Sequence, residues 1–308
     1  MLKKLVYTSV LLVPTLFIGC HKVETAFEDD LEKVQVVASI DPINEFAKII
    51  GGEEISSITM VKSGVEPHDY EPTSKDLSNL NDSQLFLYNG LGMEDWADKI
   101  IDSINDTDIV VVNTSDNVNV INSNDNDDHE EDEHSHEHGK TDPHIWLSLE
   151  ECKTQSLNIK NSLQDIDGEN AEYYEENYST FISEVDALYE EYKNKFNSLE
   201  NKNFVTSHAA FGYLCRDFGL TQVSIEDLFG ESEVTPATLA SLVDFCKSNN
   251  VKTVFMPEVA SEKLSETLAK EVSAKVVEIY SLETMPENLS YIDAMRKNLD
   301  LIYENLSN

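Results

Sequence analysis

Residues 169–199 read ENAEYYEENYSTFISEVDALYEEYKNKFNSL, thirty-one positions without glycine or proline. Apolar side chains fall at Tyr174, Tyr178, Phe181, Val185, Leu188, Tyr192, Phe196 and Leu199. Those steps are all four or three, the signature of an amphipathic helix with one buried stripe. At 1.5 Å per residue the segment would reach about 46 Å. That is long for one globular domain and predicts a rigid connector between two lobes. An isolated coiled-coil segment is the alternative, and the strand signals on both sides weigh against it.

Outward from this helix, short β-branched runs alternate with helical patterns. Before it lie strand signals at Val34–Ile40, Ile55–Val61, Leu85–Tyr88 and Ile109–Val112, with helical patterns near 42–50, 73–80 and 94–104. After it, Phe204–Val205, Thr221–Ile225, Thr253–Met256 and Lys275–Ile279 read as strands. Helices are expected after Ser207-His208, from Thr235-Pro236 to Ser248, near 261–271 and over 289–305. Thr235 supplies an N-cap and Pro236 suits the first helical turn. The alternation predicts an α/β fold of two lobes, each a small, mostly parallel sheet with flanking helices.

Composition narrows the function. The 308 residues include 59 Asp plus Glu against 22 Lys plus Arg, a net charge of −37. Nucleic acid and anionic lipid both demand a basic surface, so neither is an expected partner. A strongly acidic surface is compatible with gathering cations. Cys20, Cys152, Cys215 and Cys246 show no C-x-x-C spacing, so neither a thioredoxin-like motif nor a thiolate zinc finger is supported. The last three leave one unpaired even if two join, and buried free thiols are as compatible with the sequence as a disulfide.

Residues 1–20 read MLKKLVYTSVLLVPTLFIGC. Lys3 and Lys4 precede an apolar run too short to span a membrane, the pattern of an export signal. Leu16-Phe17-Ile18-Gly19-Cys20 resembles a bacterial lipobox, with Phe17 where an aliphatic residue is usual. Cys20 is then the lipid anchor, and the mature chain is expected outside the cytoplasm, tethered to the membrane. An ordinary signal peptide with an incidental cysteine is the alternative. The expected organisation is a signal peptide (1–19), anchor and tether (20–33), first lobe (34–167), connecting helix (168–199) and second lobe (200–308).

Histidine is unevenly distributed. Residues 122–140 read NSNDNDDHEEDEHSHEHGK and hold His129, His134, His136 and His138 among acids, with no apolar residue. Such a segment cannot build a core and is expected to be a loop that binds transition metals loosely. Of the remaining histidines, His68 lies in Glu66-Pro67-His68-Asp69, His144 in Asp142-Pro143-His144-Ile145-Trp146, and His208 in Ser207-His208-Ala209-Ala210-Phe211. Singly, each could be a cap or a satisfied buried polar group. Together, beside a histidine-rich loop in an exported chain, they point to one shared metal. Glu66 and Asp142 each precede a histidine by two residues, and could orient an imidazole, cap a helix or face solvent. Trp146 reads as packing beneath the histidine loop.

These three segments resemble the histidine motifs of the zinc/manganese solute-binding lipoproteins of bacterial ABC transporters. Glu278-Ile279-Tyr280-Ser281-Leu282-Glu283, with Tyr291-Ile292-Asp293-Ala294-Met295 and Asn298, resembles that family's C-terminal segment. Tyr280-Ser281 stands where Ser-Pro or Asn-Pro is more usual. The resemblance runs in order along essentially the whole mature chain. It implies a metal held in the cleft between two lobes, by His68 and His144 from the first and His208 and Glu283 from the second. Water in place of Glu283 is the alternative fourth ligand. It further implies an ABC permease as partner and a monomeric chain. A histidine at position 208 matches the zinc-type members, whereas a carboxylate there marks the manganese type. The chemistry agrees: three imidazoles and one carboxylate suit Zn²⁺, while Mn²⁺ prefers more oxygen.

The expected function is therefore capture of extracytoplasmic Zn²⁺ for uptake, with Mn²⁺ as the alternative cargo. A zinc hydrolase would need an open coordination position and a general base. No H-E-x-x-H is present, and Glu283 would close the shell, so no enzyme is expected. No adhesive site is encoded in any recognisable motif. Proton competition for the three imidazoles predicts zinc release as pH falls through the ordinary imidazole range.

Overall fold

Four strands, β1 (Val34–Ala38), β2 (Ile55–Thr59), β3 (Leu85–Tyr88) and β4 (Val110–Asn113), form a parallel sheet in the order β2-β1-β3-β4. The helices between them are α1 (Asp41–Gly51), α2 (Ser74–Asn81) and α3 (Ala97–Ile104). Two helices follow, α4 (Glu151–Ile166) and α5 (Ala171–Asn197). The second sheet contains β5 (Asn203–Thr206), β6 (Thr221–Ser224), β7 (Thr253–Pro257) and β8 (Lys275–Ile279), again parallel, in the order β6-β5-β7-β8. It carries α6 (Gly212–Phe218), α7 (Pro236–Ser248), α8 (Glu262–Val272) and α9 (Tyr291–Leu306). This computed structural model describes residues 27, 32–68, 70–104, 107–122, 141–228, 234–257 and 262–307. Among them no helix is long and apolar enough to cross a membrane.

Strand alternation divides the core. Val36, Ala38, Leu85 and Leu87 point to one side of the first sheet, while Val37 and Phe86 point to the other. The second sheet repeats the pattern, with Phe204 and Phe255 on one face and Val205 and Val254 on the other. The two inward faces belong to a single hydrophobic core that runs through both lobes. Each outward face has a separate core, with Leu80 of α2 and Ile100 of α3 in the first lobe and Leu242 of α7 and Leu268 of α8 in the second.

The connecting helix lies along the shared core. Tyr174, Phe181, Val185, Leu188, Tyr192 and Phe196 are buried, as the spacing predicts, and Tyr178 is half-buried. Phe181 meets Phe46 of α1, and Phe196 meets Phe218 of α6. One helix thus touches elements of both sheets, and burying each of these aromatics contributes about 1.5–3 kcal/mol. Its 27 residues make it about 40 Å long, shorter than the expected segment because Gly168–Asn170 form a separate 3₁₀ turn and the helix ends at Asn197.

Helix α4 is an element that the hydrophobic pattern did not reveal. Its buried face mixes Cys152, Ile159 and Leu163 with Gln155, Ser156 and Ser162. Two of the polar members are hydrogen-bonded inside the protein: the Gln155 amide donates to Asn89 Oδ1 (3.1 Å) and Thr114 Oγ1 (3.2 Å), and the Ser162 hydroxyl donates to the Ile159 carbonyl (2.8 Å). A half-polar stripe has no strong apolar period, so the helix was invisible to that test. Cys152, Cys215 and Cys246 are buried free thiols.

Candidate metal centre

His68, His144 and His208 converge. Each presents a ring nitrogen within 4.8 Å of the others'. They arrive from separate places, each beyond the C-terminal end of a parallel strand, where open α/β sheets gather their ligands. His68 sits in the turn-rich connection from β2 to α2. That connection is tied down by a capping box between Thr73 and Asp76, whose carboxylate also accepts from the Tyr70 hydroxyl at 2.6 Å.

His144 follows the long excursion after β4. The ends of that excursion's histidine-rich stretch are joined by an isolated antiparallel bridge between Asn122 and Thr141. Asp142, buried at 2% exposure, accepts from the His144 backbone N–H (2.9 Å) and faces the His144 Nδ1 (2.8 Å). With Nδ1–H donating to the carboxylate, Nε2 keeps its lone pair for a cation. Pro143 is held as well, its carbonyl accepting from the Asn89 side-chain amide at 2.9 Å.

His208 comes two residues after β5. Thr206 Oγ1 donates to the His208 carbonyl (2.6 Å), as does the Gln222 amide (3.2 Å), and the ring donates to the Asp227 backbone carbonyl. Glu283 follows β8 and is buried at 3% exposure. Its Oε1 lies 3.9 Å from His144 Nε2.

Two features mark this as a place for a cation. The His144 and His208 Nε2 atoms stand 3.3 Å apart. Two ligands at about 2.05 Å from a tetrahedral zinc would be separated by about 3.3 Å. The second feature is charge. Burial lowers His68 to about 2, and the neighbouring His144 and His208 add to the shift. Burial alone brings His144 to about 3, and burial together with His144 brings His208 to about 3. Three neutral imidazoles then offer lone pairs at any physiological pH. Burial also pushes Asp142 up to about 7, against the opposing pull of the His144 N–H.

Residues 36–305 match the model of the ZnuA family, described as the periplasmic component A of a zinc-uptake complex. The chain belongs to this zinc-uptake family. It is 38% identical over 281 residues to the high-affinity zinc uptake system protein ZnuA of Bacillus subtilis, covering 89% of this chain and 88% of that protein. The metal-dependent lipoprotein YcdH of B. subtilis has the same fold, with a TM-score of 0.76 and 34% identity over 90% of this chain and 100% of that one. The Zn(II)-bound ZnuA-like domain of Streptococcus pneumoniae AdcA superposes with a TM-score of 0.75 at 28% identity, again over 90% and 100%. These relatives are described respectively as a zinc-uptake protein, a metal-dependent lipoprotein and a Zn(II)-bound domain.

The other site residues named from sequence divide into two groups. His129, His134, His136, His138 and Cys20 lie outside the described residues. Asp142 is fixed against His144, so of its possible roles the orienting one is realised. Glu66, by contrast, is only half-buried. Asn89 and Gln155, which brace the His144 loop, were not read from the sequence. Neither sits beside a histidine in the chain, so no local pattern could have singled them out.

Proposed function

We propose that this chain captures Zn²⁺ outside the cytoplasm and delivers it to an ABC permease. The proposed ligands are His68, His144, His208 and Glu283, with Asp142 orienting His144. The observation that carries the reading is the convergence of three neutral imidazoles from both lobes, two of them 3.3 Å apart, beside a buried carboxylate. Family membership and the zinc-named relatives support the metal. Zinc over manganese rests on imidazole as the majority donor, since Mn²⁺ favours oxygen. The chain is proposed to act as a monomer, tethered through lipidated Cys20. His129, His134, His136 and His138 would add weak zinc binding at the rim. With four protein ligands no coordination position stays open for an activated water, so the role is binding rather than catalysis.

Elemental analysis of protein purified without added metal, followed by competition titration, tests the reading. One tight zinc equivalent is expected, and deleting residues 122–140 should remove only weaker equivalents. Loss of the tight equivalent in a folded deletion variant would move the primary site into the loop.

A further inference from the structure

Trp146 follows His144 by two residues and is completely buried. Its ring packs 5.3 Å from the His144 ring, centroid to centroid. Packing is not its only contact. The indole N–H crosses to the second lobe and donates to the Ser281 carbonyl at 2.9 Å. In the opposite direction, the Tyr291 hydroxyl donates to the Trp146 carbonyl at 2.7 Å. Both bonds are buried, so neither competes with water.

Ser281 begins a short strap that carries Glu283. Leu282, between them, is fully buried and has φ of 61°. A leucine holds this left-handed conformation only where its surroundings impose it. The far end of the strap is also tied to the first lobe. The Gly64 N–H donates to Thr284 Oγ1 (3.1 Å), and the Met285 N–H donates to Asp41 Oδ2 (3.3 Å). Glu283 is thus suspended between two anchorages on the opposite lobe, with its carboxylate 3.9 Å from His144 Nε2.

We infer that Trp146 is a positioning residue: its indole N–H, by fixing the Ser281 carbonyl, aims the Glu283 carboxylate at the metal held by His144. The inference rests on the proposed zinc centre. One short segment then supplies the His144 ligand and sets the place of a second ligand from the other lobe. A zinc–oxygen bond needs about 2.0–2.2 Å, so a strap released by even an ångström gives up the carboxylate and leaves the fourth place to water.

The test is a double-mutant cycle on the full-length protein, read by zinc competition titration. The variants are Trp146→Phe, Glu283→Ala and the double variant. A further protein carries a benzothienyl analogue at position 146, which keeps the bicyclic shape without the N–H and so guards against loss of folding. Removing the N–H should weaken zinc about tenfold, the scale of one buried hydrogen bond. In the Glu283→Ala background the same change should cost less than about twofold, because coupled residues are not additive. The visible spectrum of the Co²⁺-loaded Trp146→Phe protein should shift toward that of Glu283→Ala. A full tenfold loss persisting without Glu283, or no loss with the analogue, overturns the inference. His144→Ala separates the two levels. If it abolishes tight zinc, the metal centre stands even where the cycle is additive; if tight zinc survives it, the metal centre and the inference fail together.

Discussion

The two lobes have the same strand order, yet they feed the candidate centre differently. In the first, the histidines follow the second and fourth strands in sequence, β2 and β4. In the second, His208 follows the first strand, β5, and Glu283 the fourth, β8. What the lobes share is the use of strand C-termini and of the loop after the fourth strand. They do not share a ligand motif. Common architecture supplies the opposed edges, and local loop chemistry decides which atoms face the cleft. The supports also differ: His144 is oriented by a buried carboxylate, His208 by a backbone carbonyl.

The largest effect should come from breaking the first-lobe side. His144→Ala removes the ring that faces all the other proposed ligands. It should lower zinc affinity by well over a hundredfold, beyond the 10–100-fold typical of losing an outer-shell partner. Competition titration with a chromophoric chelator measures it; a smaller loss would make His144 peripheral.

Changing the second-lobe side tests selectivity. His208→Ala should weaken zinc sharply, by removing one of four bonds. His208→Glu should be milder for Mn²⁺ than for Zn²⁺, since it turns the donor set toward oxygen. Titration of wild type and both variants with both metals gives the ratio. An unchanged ratio would deny His208 any part in selection.

The difference in support predicts a smaller effect. Asp142→Asn keeps the shape but removes the charge that favours Nδ1–H on His144. Zinc affinity should fall about 10–100-fold. The His208 ring in the second lobe donates to the Asp227 backbone carbonyl, which a side-chain substitution leaves in place.

Per pH unit, the smallest effect is the acid dependence. Release through the ordinary imidazole range is the expectation from sequence, but burial holds the three rings at about 2 to 3. Protons therefore do not compete for the rings between pH 7 and 5. Asp142, raised to about 7 in the metal-free protein, does take up a proton there. Zinc favours its ionised form, so affinity should decline with acidification by no more than one proton's worth, about tenfold per pH unit. Titrations at several pH values should give that slope in wild type and a flatter one in Asp142→Asn. A slope of two or three protons would mean that the rings titrate after all.

Much of this molecule is legible in its sequence, for identifiable reasons. The stripe from Tyr174 to Phe196 is visible because one apolar face packs on a continuous core. Thr235-Pro236 marks the start of α7 because caps are local chemistry. His68, His144 and His208 stand out once the histidine-rich segment is set aside. Helix α4 does not, since Gln155, Ser156 and Ser162 interrupt its buried face, and the Gln155 amide finds its partners only in the tertiary structure. Glu283 was reachable through family resemblance alone, because nothing local distinguishes it from the chain's other acids. Trp146 and Ser281 are 135 residues apart, and their hydrogen bond exists only once the lobes meet.

The central claim is that one zinc ion is held by three imidazoles and a carboxylate drawn from both lobes. Zinc K-edge X-ray absorption of the one-equivalent complex, with residues 122–140 deleted, tests it most directly. The account predicts three imidazole nitrogens and one oxygen at about 2.0–2.1 Å, no sulfur, and one imidazole fewer in His208→Ala. A tightly bound zinc whose imidazole count does not change in His208→Ala would contradict it.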